Sequence, residues 1–526
     1  ATVLANKADS GFVRNMLLGL RSSAAPPPAQ DASITIDPSQ TFQTMRGWEA
    51  VAQAGQHFSR SFDAYAPIVF DQAVDGGIDR LRLEVRAGSE NRADSYRDYA
   101  AAGYPESGNA YETWRAKRYE TINDNSDPNN INTSGFHFTE IDDTIDLVVN
   151  PLRARLAAKG ESLYVNLNYV AFTRQITSGQ YFHHAPAEYA EFMLATFQHI
   201  QQKYGWVPNA IEVLLEPDNV PQWSSGTLIG QAIVDTGQRL AAHGFAPDFI
   251  APSTTCMNNT IRYFDALIAV ANVKTYLKEI AYHRYCGVSV DNLQAIASRA
   301  EMHGLSTSML EWWSGGNNHR VLHEDLKVGR NSAWEQGTLA SPGSAPTALY
   351  LVNDSNALSP VVTTGGLTRY SSQYYRHIRQ GARRIGATSS APALDPLAFV
   401  NVNGTYVVVV NALNAGSFSV QNLPAGTYGI RYTTAGESVS HADQTIVSGQ
   451  RVTASIPAAG VLTVYGTSAG PTPAPPPGDT PAPTPTPTPI PPPPPHREPT
   501  PEPSPEPPSE TVQKSTNSSV RKPKVP

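Results

Sequence analysis

Two stretches of the sequence decide the fold class: IEVLLEPDN at residues 211–219 and STSMLEWW at residues 306–313. In each, a run of strand-forming residues ends near a glutamate, Glu216 in the first stretch and Glu311 in the second. Functional side chains at the carboxyl ends of strands are typical of parallel β/α barrels. We therefore expect an α/β protein built on a (β/α)8 TIM barrel, with both carboxylates at the same end of it.

The sequence around these stretches alternates between strand-like and helix-like segments, which is the pattern of βα units. The eight predicted barrel strands span residues 46–51, 80–85, 162–168, 210–216, 248–253, 279–285, 306–312 and 347–352. Apolar periodicity predicts helices at residues 141–159, 186–204, 228–243 and 367–380. A long polar insertion, residues 88–139, comes after the second strand. We expect this insertion to shape a substrate groove.

The pattern changes after the last predicted helix. Residues 396–466 alternate apolar and polar side chains in short runs broken by Gly, Asn and Pro, which predicts a small antiparallel β-sandwich. Residues 1–30 and 469–526 have the composition of a flexible leader and of an extended, solvated proline-rich tail. Thr-Pro repeats of this kind commonly tether secreted bacterial enzymes, so we expect a secreted or cell-envelope-associated protein.

Composition excludes several classes of partner. The formal net charge is -7 and only 16% of residues are charged, which argues against binding to nucleic acid or to anionic lipid. No apolar run approaches the ~20 residues of a membrane span. Cys256 and Cys286 come after neighbouring predicted strands, so they form either a disulfide or two buried thiols. Two cysteines are too few for a disulfide scaffold or a zinc site.

The two strand-end glutamates suit one kind of chemistry. Glycoside hydrolysis needs one carboxyl group to protonate the leaving oxygen and a second to meet the anomeric carbon of the sugar. The apolar run at residues 213–215 is expected to raise the pKa of Glu216, as an acid requires. The alternative for both glutamates is a buried structural role in a pair with arginine. Glu84 and Glu212 also lie on predicted strands, and we assign them structural roles. Candidates for stacking on sugar rings are Trp48, Trp223, Trp312 and Trp313.

Six motifs succeed one another along the chain. They are QTMRGW (43–48), GIDRLR (77–82), EP (216–217), HRY (283–285), LEW (310–312) and YSSQYYRHIRQGARRI (370–385). Together they resemble clan A of the glycoside hydrolases, and most closely glycoside hydrolase family 30 and its relatives. The resemblance covers residues 32–467. It implies a barrel and, after it, a β-domain that also takes in the strand preceding the barrel.

The resemblance also implies roles for the residues that match its motifs. Glu311 is expected to be the nucleophile and Glu216 the acid/base. Arg82 is expected to keep the nucleophile ionised through its positive charge. Tyr285 is expected to hydrogen-bond the nucleophile, and His283 to contact the substrate or the two carboxylates.

One position departs from the resemblance. Clan A enzymes usually have asparagine immediately before the acid/base glutamate, where it bonds the 2-hydroxyl of the sugar, and this chain has Leu215 there. We expect either that Asn168 or Asn219 supplies the missing contact, or that the substrate presents position 2 differently. An axial hydroxyl, as in mannosides, or a substituted position 2 would fit the second alternative.

These observations predict five segments: a leader (1–30), a strand joining the β-sandwich (31–42), the barrel (43–386), the β-sandwich (387–468) and the tail (469–526). The predicted function is retaining hydrolysis of β-glycosidic bonds in a polysaccharide or oligosaccharide. We expect a monomer that needs no metal and no cofactor. The alternatives are a non-catalytic carbohydrate-binding protein on a hydrolase scaffold, favoured by Leu215, and a transglycosylase that remodels exopolysaccharide.

Overall fold

The computed structural model describes residues 32–313, 319–343, 345 and 347–467. The predicted leader and tail lie outside the described residues. No helix in the described part of the chain has the length and apolar character needed to cross a membrane.

The strands are β1 (Ala32–Thr44), β2 (Gly47–Val51), β3 (Arg80–Arg86), β4 (Tyr164–Val170), β5 (Ala210–Glu212), β6 (Asp248–Cys256), β7 (Leu277–Cys286), β8 (Ser306–Glu311), β9 (Asn331–Thr338), β10 (Ala340–Pro342), β11 (Tyr350–Asn353), β12 (Val361–Thr364), β13 (Arg383–Ser389), β14 (Leu394–Val400), β15 (Tyr406–Ala412), β16 (Gly416–Gln421), β17 (Gly426–Thr434), β18 (Ser438–Ser440), β19 (Gln444–Ile446), β20 (Val452–Ile456) and β21 (Gly460–Gly466).

The α-helices are α1 (Phe62–Gly76), α2 (Ser95–Ala101), α3 (Asn109–Lys117), α4 (Thr139–Thr144), α5 (Asn150–Ala158), α6 (Pro186–Tyr204), α7 (Gly226–Ala242), α8 (Met257–Leu267), α9 (Val273–Tyr276), α10 (Val290–His303), α11 (His319–Lys327) and α12 (Thr368–Tyr375). A π-helical turn, Ile145–Val149, joins α4 to α5. The predicted insertion is not only loop, since it contains α2 and α3.

The eight parallel strands β2 to β9 close into a barrel, which confirms the predicted fold class. The side chains inside this barrel are unusually polar. In β3, Leu81 and Leu83 face the surrounding helices, whereas Arg80 and Arg82 point to the barrel axis. Arg80 bonds Glu279 on β7 through Nη1 and Nη2, at 3.1 and 2.8 Å. Oppositely charged partners make such burial of a guanidinium possible.

The prediction that residues 347–352 form the last barrel strand is wrong. β9 (Asn331–Thr338) closes the barrel between β8 and β2. Residues 347–352 instead contribute β11, the middle strand of a small three-stranded sheet with β10 and β12. The physical reason is that β9 carries polar side chains on both faces, with Glu335 toward Arg82 inside the barrel and Asn331 toward Tyr282 on the helix side, so it lacks the apolar run expected of a buried parallel strand. The fourth predicted strand is also shorter than expected, because regular pairing in β5 ends at Glu212.

The C-terminal β-domain is confirmed, together with the strand that precedes the barrel. Its ten strands form one continuous sheet in which β1 lies between β13, its antiparallel neighbour, and β16, its parallel neighbour. The sheet folds around one core, and its two ends meet where Gln444 on β19 bonds the backbone of Thr453 on β20. In β15, Val408 and Val410 enter this core while Val407 and Val409 pack against the barrel's core.

Cys256 and Cys286 form a disulfide between the carboxyl ends of β6 and β7, with Cα atoms 4.5 Å apart. Of the two alternatives left open by the sequence, buried thiols are therefore wrong. The disulfide links β6 to β7. The end of β6 is in turn connected to the segment that follows Glu216, where Asp218 accepts hydrogen bonds from the backbone amides of Thr255 and Cys256 at 2.8 and 3.2 Å.

We expect the double variant Cys256→Ala/Cys286→Ala to unfold at a lower denaturant concentration. The bond closes a segment with a sequence separation of 30, and losing a cross-link of that span costs about 3 to 4 kcal/mol. Urea unfolding followed by tryptophan fluorescence measures the change. In reductant, the wild-type protein should unfold at the same urea concentration as the variant. The midpoint of the variant should be the same with and without reductant. Equal midpoints for variant and oxidised wild type would contradict the expectation.

Candidate active site

Glu311 ends β8 at the carboxyl end of the barrel, which we call the barrel mouth. Its Oε2 accepts a hydrogen bond from Arg82 Nη2 at 2.6 Å, and its Oε1 accepts one from the Tyr285 hydroxyl at 2.9 Å. Arg82 Nη1 also donates to the carbonyl of Leu310, at 3.1 Å. Both oxygens are thus held by donors on other strands, and the contacts expected from Arg82 and Tyr285 are present.

Glu216 lies beyond β5, where the chain leaves the regular ladder. Its backbone amide donates to the carbonyl of Ser253 at 3.1 Å, and both residues have left-handed backbone angles, with φ of 53° and 56°. Left-handed angles at non-glycine residues cost about 1 to 3 kcal/mol and cluster at functional sites. Asn219 Nδ2 donates to Glu216 Oε2 at 2.8 Å, and His283 Nδ1 lies 3.1 Å from Oε1.

The two carboxylates face each other across the barrel mouth. One oxygen of Glu216, one oxygen of Glu311 and one ring nitrogen of His283 all lie within 4.8 Å of one another. The Glu216 and Glu311 side chains are only 9% and 12% exposed. A reactant placed between them would therefore touch two carboxyl groups in a site largely shielded from water.

The predicted direction of the pKa shift at Glu216 is wrong. Burial raises its pKa, but the hydrogen bonds from His283 and Asn219 and the nearby imidazole charge outweigh burial and lower it below 4.5. Burial opposes the protonation of His283, yet the hydrogen bond to Glu216 and the charge of Glu311 raise its pKa above 6.5. The apolar residues 213–215 do not set the pKa because their side chains pack away into two apolar clusters.

Beneath Glu311, Arg82 also faces Glu335 on β9, with Nε and Oε2 3.7 Å apart. Burial raises the pKa of Glu335 well above its usual range despite the Arg82 charge, and the nearby carboxylates Glu49 and Glu311 add to the shift. Glu212 also lies inside the barrel, where Asn166 donates to it at 2.9 Å. This contact matches the structural role expected of Glu212.

The two asparagine candidates differ in their contacts. Asn219 already bonds Glu216 and, at 2.9 Å, Thr255 Oγ1. Asn168 on β4 is fully buried, and neither its amide oxygen nor its amide nitrogen has a hydrogen-bond partner among the described residues. Asn166, two positions earlier on the same strand, points into the barrel, so Asn168 points the same way one layer nearer the mouth.

Two of the tryptophans expected to stack on sugars lie in the core, so those predictions are wrong. Trp48 is fully buried, stacks on Tyr375 with ring centres 4.5 Å apart and donates to the carbonyl of Ile378. Trp223 is fully buried and donates to the Tyr181 hydroxyl at 2.6 Å. Trp313 is 40% exposed and lies beside the site, since its backbone amide donates to the Tyr285 hydroxyl at 3.2 Å.

Sequence reasoning missed several residues that build the site. Ser253 joins the two layers of the site: its hydroxyl bonds Glu212 and lies 3.1 Å from His283 Nε2. Glu84, assigned a structural role, lines a pocket next to Arg82 together with Tyr99 and Trp114 of the insertion. The alternation of charged and apolar residues in RLRLE at residues 80–84 was an available signal for Glu84, because it places Glu84 on the same face as Arg82.

Glu216, His283 and Glu311 are the one group of described residues with spacing suited to a metal ion. The atoms that would bind the metal already take part in hydrogen bonds, because Arg82 and Tyr285 donate to Glu311 and His283 lies against Glu216. A cation there would also lie close to the Arg82 guanidinium, which would repel it.

Comparison with known proteins supports the fold. No protein-family model matches the sequence, and no curated protein matches it. Solved structures with the same fold include a glycoside hydrolase family 30 endoxylanase from Clostridium papyrosolvens C71, which is 18% identical over 82% of this chain and 99% of its own, with a TM-score of 0.56. The expected resemblance to family 30 is confirmed at the level of the fold.

Two further solved structures match. A conserved exported protein from Bacteroides fragilis is 14% identical over 82% of this chain and all of its own, with a TM-score of 0.60. An endo-β1,6-glucanase is 15% identical over 84% of this chain and 96% of its own, with a TM-score of 0.54. Because 82–84% of this chain aligns, the matched portion includes both its barrel and its β-domain.

We expect His283→Phe to raise the pKa of Glu216, because removing the imidazole donor leaves burial as the largest influence. Carbon-13 NMR titration of labelled glutamate carboxyls, with Glu216 assigned through Glu216→Gln, measures it. In the wild type, the stabilisation from Glu216 is present above pH 4.5 and that from His283 below pH 6.5, so both contribute fully between those values. His199→Phe, which removes a contact to Asp142, is the control. An unchanged or lowered Glu216 pKa in His283→Phe would refute this account.

We expect the purified protein to hold no stoichiometric metal at Glu216, His283 and Glu311, since the existing donors and Arg82 disfavour a cation. Elemental analysis after dialysis against EDTA, with melting curves before and after, tests this. One equivalent of tightly held metal that is lost in Glu311→Gln would show the opposite.

Proposed function

We propose that this protein is a retaining glycoside hydrolase that cleaves β-glycosidic bonds in an oligosaccharide or polysaccharide. The observation that carries the proposal is the approach of Glu216 and Glu311 to within 4.8 Å at the barrel mouth. Retaining enzymes hold their two carboxyl groups about 5–5.5 Å apart, whereas inverting enzymes need about 6.5–9.5 Å to admit a water molecule.

In the first step, a carboxylate oxygen of Glu311 attacks the anomeric carbon and forms the glycosyl–enzyme bond. The bond between that carbon and the leaving oxygen breaks, and the leaving oxygen takes a proton from Glu216. The hydrogen bonds from Arg82 and Tyr285 hold Glu311 in place for the attack. Such preorganised donors also stabilise the carboxylate when it leaves again.

In the second step, Glu216 accepts a proton from water as the water oxygen bonds to the anomeric carbon. The bond between Glu311 and the sugar breaks, so the hydroxyl ends on the face from which the first leaving group departed. The two inversions together retain the configuration. Both steps use side chains of this chain and one water molecule.

His283 supplies a route for the proton that Glu216 needs. Its pKa is raised and that of Glu216 is lowered, so in the free protein the shared proton lies on the imidazole, 3.1 Å from the carboxylate. A sugar that fills the site removes water from around Glu216, which favours its neutral form. The proton then moves from His283 to Glu216 and on to the leaving oxygen.

The sequence departure at Leu215 does not remove the means of sugar recognition. Leu215 packs with Tyr119 and Val170 in an apolar cluster. The unpaired amide of Asn168 offers a donor and an acceptor, so we infer that it takes the place of the usual asparagine. The carbohydrate-binding alternative without turnover depended on Leu215, and nothing in the site's contacts favours it over hydrolysis.

The proposed cellular location rests on the comparison with solved structures and on the sequence. A fold neighbour is an exported protein, and the proline-rich tail has the composition of a secreted enzyme's tether. We propose a secreted or envelope-associated monomer acting on carbohydrate and not on nucleic acid.

We expect Glu311→Gln to lower turnover by roughly 10⁴-fold or more, because the amide cannot form the glycosyl–enzyme bond. Reducing-end release from a panel of plant, fungal and bacterial polysaccharides measures it. Glu301→Gln, an exposed glutamate on α10, is the matched control and should keep full activity. Melting curves check that each variant is folded.

Two further measurements address the mechanism. Proton NMR during hydrolysis of a β-linked substrate should show the β-anomer of the product first. A 2-deoxy-2-fluoro glycosyl fluoride should add one sugar mass to Glu311. An α-anomer first, or full activity in Glu311→Gln, would remove the retaining mechanism.

A further inference from the structure

A pocket of about 240 Å³ lies beside Glu311 at the barrel mouth. Its floor is formed by strand ends, namely by Val51 on β2, by Arg82 and Glu84 on β3 and by Thr338 on β9. Its volume is below the roughly 300–1,000 Å³ of pockets for drug-sized ligands, so it suits a ligand the size of a single sugar.

Three walls surround this floor. The segment after β2, residues 53–58, forms one wall, and β10 (Ala340–Pro342) forms a second. The insertion between β3 and β4 forms the third, through Tyr96, Tyr99 and Trp114. The floor residue Arg82 connects the pocket to Glu311, because its Nη2 donates a hydrogen bond to the Glu311 carboxylate.

The wall from the insertion is held rigidly. Tyr99 and Trp114 stack with ring centres 4.5 Å apart and planes within 4° of parallel. Asp143 accepts hydrogen bonds from the hydroxyls of Tyr96 and Tyr104, at 2.7 and 2.8 Å. A wall made of packed aromatic rings and part-buried hydrogen bonds does not move aside at little cost to let a chain pass.

The pocket lies in the part of the cleft that holds the glycone, which is the sugar that becomes attached to Glu311. It shares Arg82 with Glu311, whereas His283 and Asn219, which contact Glu216, do not line it. Because Glu216 protonates the leaving group and Glu311 receives the glycosyl group, the pocket accommodates the glycone and not the leaving part of the chain.

The charges around the pocket cancel. Arg86 bonds both Glu84 and Glu140, at 3.0 and 2.6 Å, and Arg118 supplies the second positive charge. Arg82 is balanced by Glu311. Two carboxylates and two guanidinium groups that surround an aromatic wall suit the hydroxyls and ring face of a neutral sugar.

Resting on the proposed hydrolase function, we propose that this enzyme acts from the non-reducing chain end. The pocket walled by Tyr99, Trp114 and β10 receives the neutral terminal sugar and blocks longer glycones, so each cleavage releases one or two sugars. This specificity differs from that named for two fold neighbours, an endoxylanase and an endo-β1,6-glucanase.

The test uses full-length protein and matched oligosaccharides. Linear β-linked xylo-, gluco-, manno- and galacto-oligosaccharides of two to six sugars carry a fluorescent label at the reducing end. A second set also carries a 4,6-O-benzylidene acetal (for xylose, a 4-O-methyl group) on the non-reducing terminal sugar. Chromatography of labelled and released products gives the initial rate and the cleavage position for each chain.

We expect uncapped chains of the preferred sugar to lose one or two sugars at a time, and the cap to slow cleavage at least 100-fold. Capped and uncapped chains cleaved within threefold of each other, with mid-length fragments appearing early, would overturn chain-end action while leaving the hydrolase function intact. Absence of cleavage across the panel, together with no labelling of Glu311 by fluoro-sugars, would overturn both proposals.

A wall variant tests the cause. Trp114→Ala should raise the ratio of capped to uncapped cleavage about tenfold, because it opens the third wall. Arg115→Ala, at the exposed neighbouring position on α3, should leave that ratio unchanged. Melting curves show whether the insertion still folds, and the capped-to-uncapped ratio is independent of the amount of folded enzyme. An unchanged ratio in folded Trp114→Ala would refute the role of this wall.

Discussion

The buried guanidinium of Arg82 is the interaction on which the site depends. It lies inside the barrel, bonds Glu311 on β8 and the carbonyl of Leu310, and faces Glu335 on β9. A charge buried this deeply is tolerated only when its partners are fixed, so the strands that carry them must keep their register. The nucleophile candidate is thereby placed by the same contacts that hold three barrel strands together. A second layer, Arg80 with Glu279, repeats the arrangement deeper in the barrel.

Most of the barrel could be predicted from local patterns, and the exceptions have a physical reason. Helix α6 matches its predicted range because its apolar face repeats with helical periodicity. β9 was missed because its inward residues join the polar interior, and an apolar run farther along the chain resembled a strand more closely. Trp48 and Trp223 were misplaced because sequence shows that a ring is large and apolar but not whether it faces a cleft or a core.

The catalytic candidates were predictable by position, but their electrostatics were not. Strand ends identified Glu216 and Glu311, and the structure brings them together. The pKa of Glu216 depends on His283 and Asn219, one of which is 67 residues away in the chain. Its apolar sequence neighbours suggested a raised pKa, but their side chains pack elsewhere and do not determine it. In the same way, the insertion was expected to shape a groove, and only its folded aromatic contacts show a pocket walled on one side by the insertion beside Arg82.

The position of β1 constrains how such a protein can arise. β1 precedes the barrel in the chain but lies between β13 and β16 in the β-domain sheet. A gene segment encoding only the strands C-terminal to the barrel would lack β1 and leave two neighbouring strand edges open to aggregation. Exchange of the C-terminal strands as one continuous cassette would therefore leave the β-domain sheet incomplete, because its β1 is encoded ahead of the barrel.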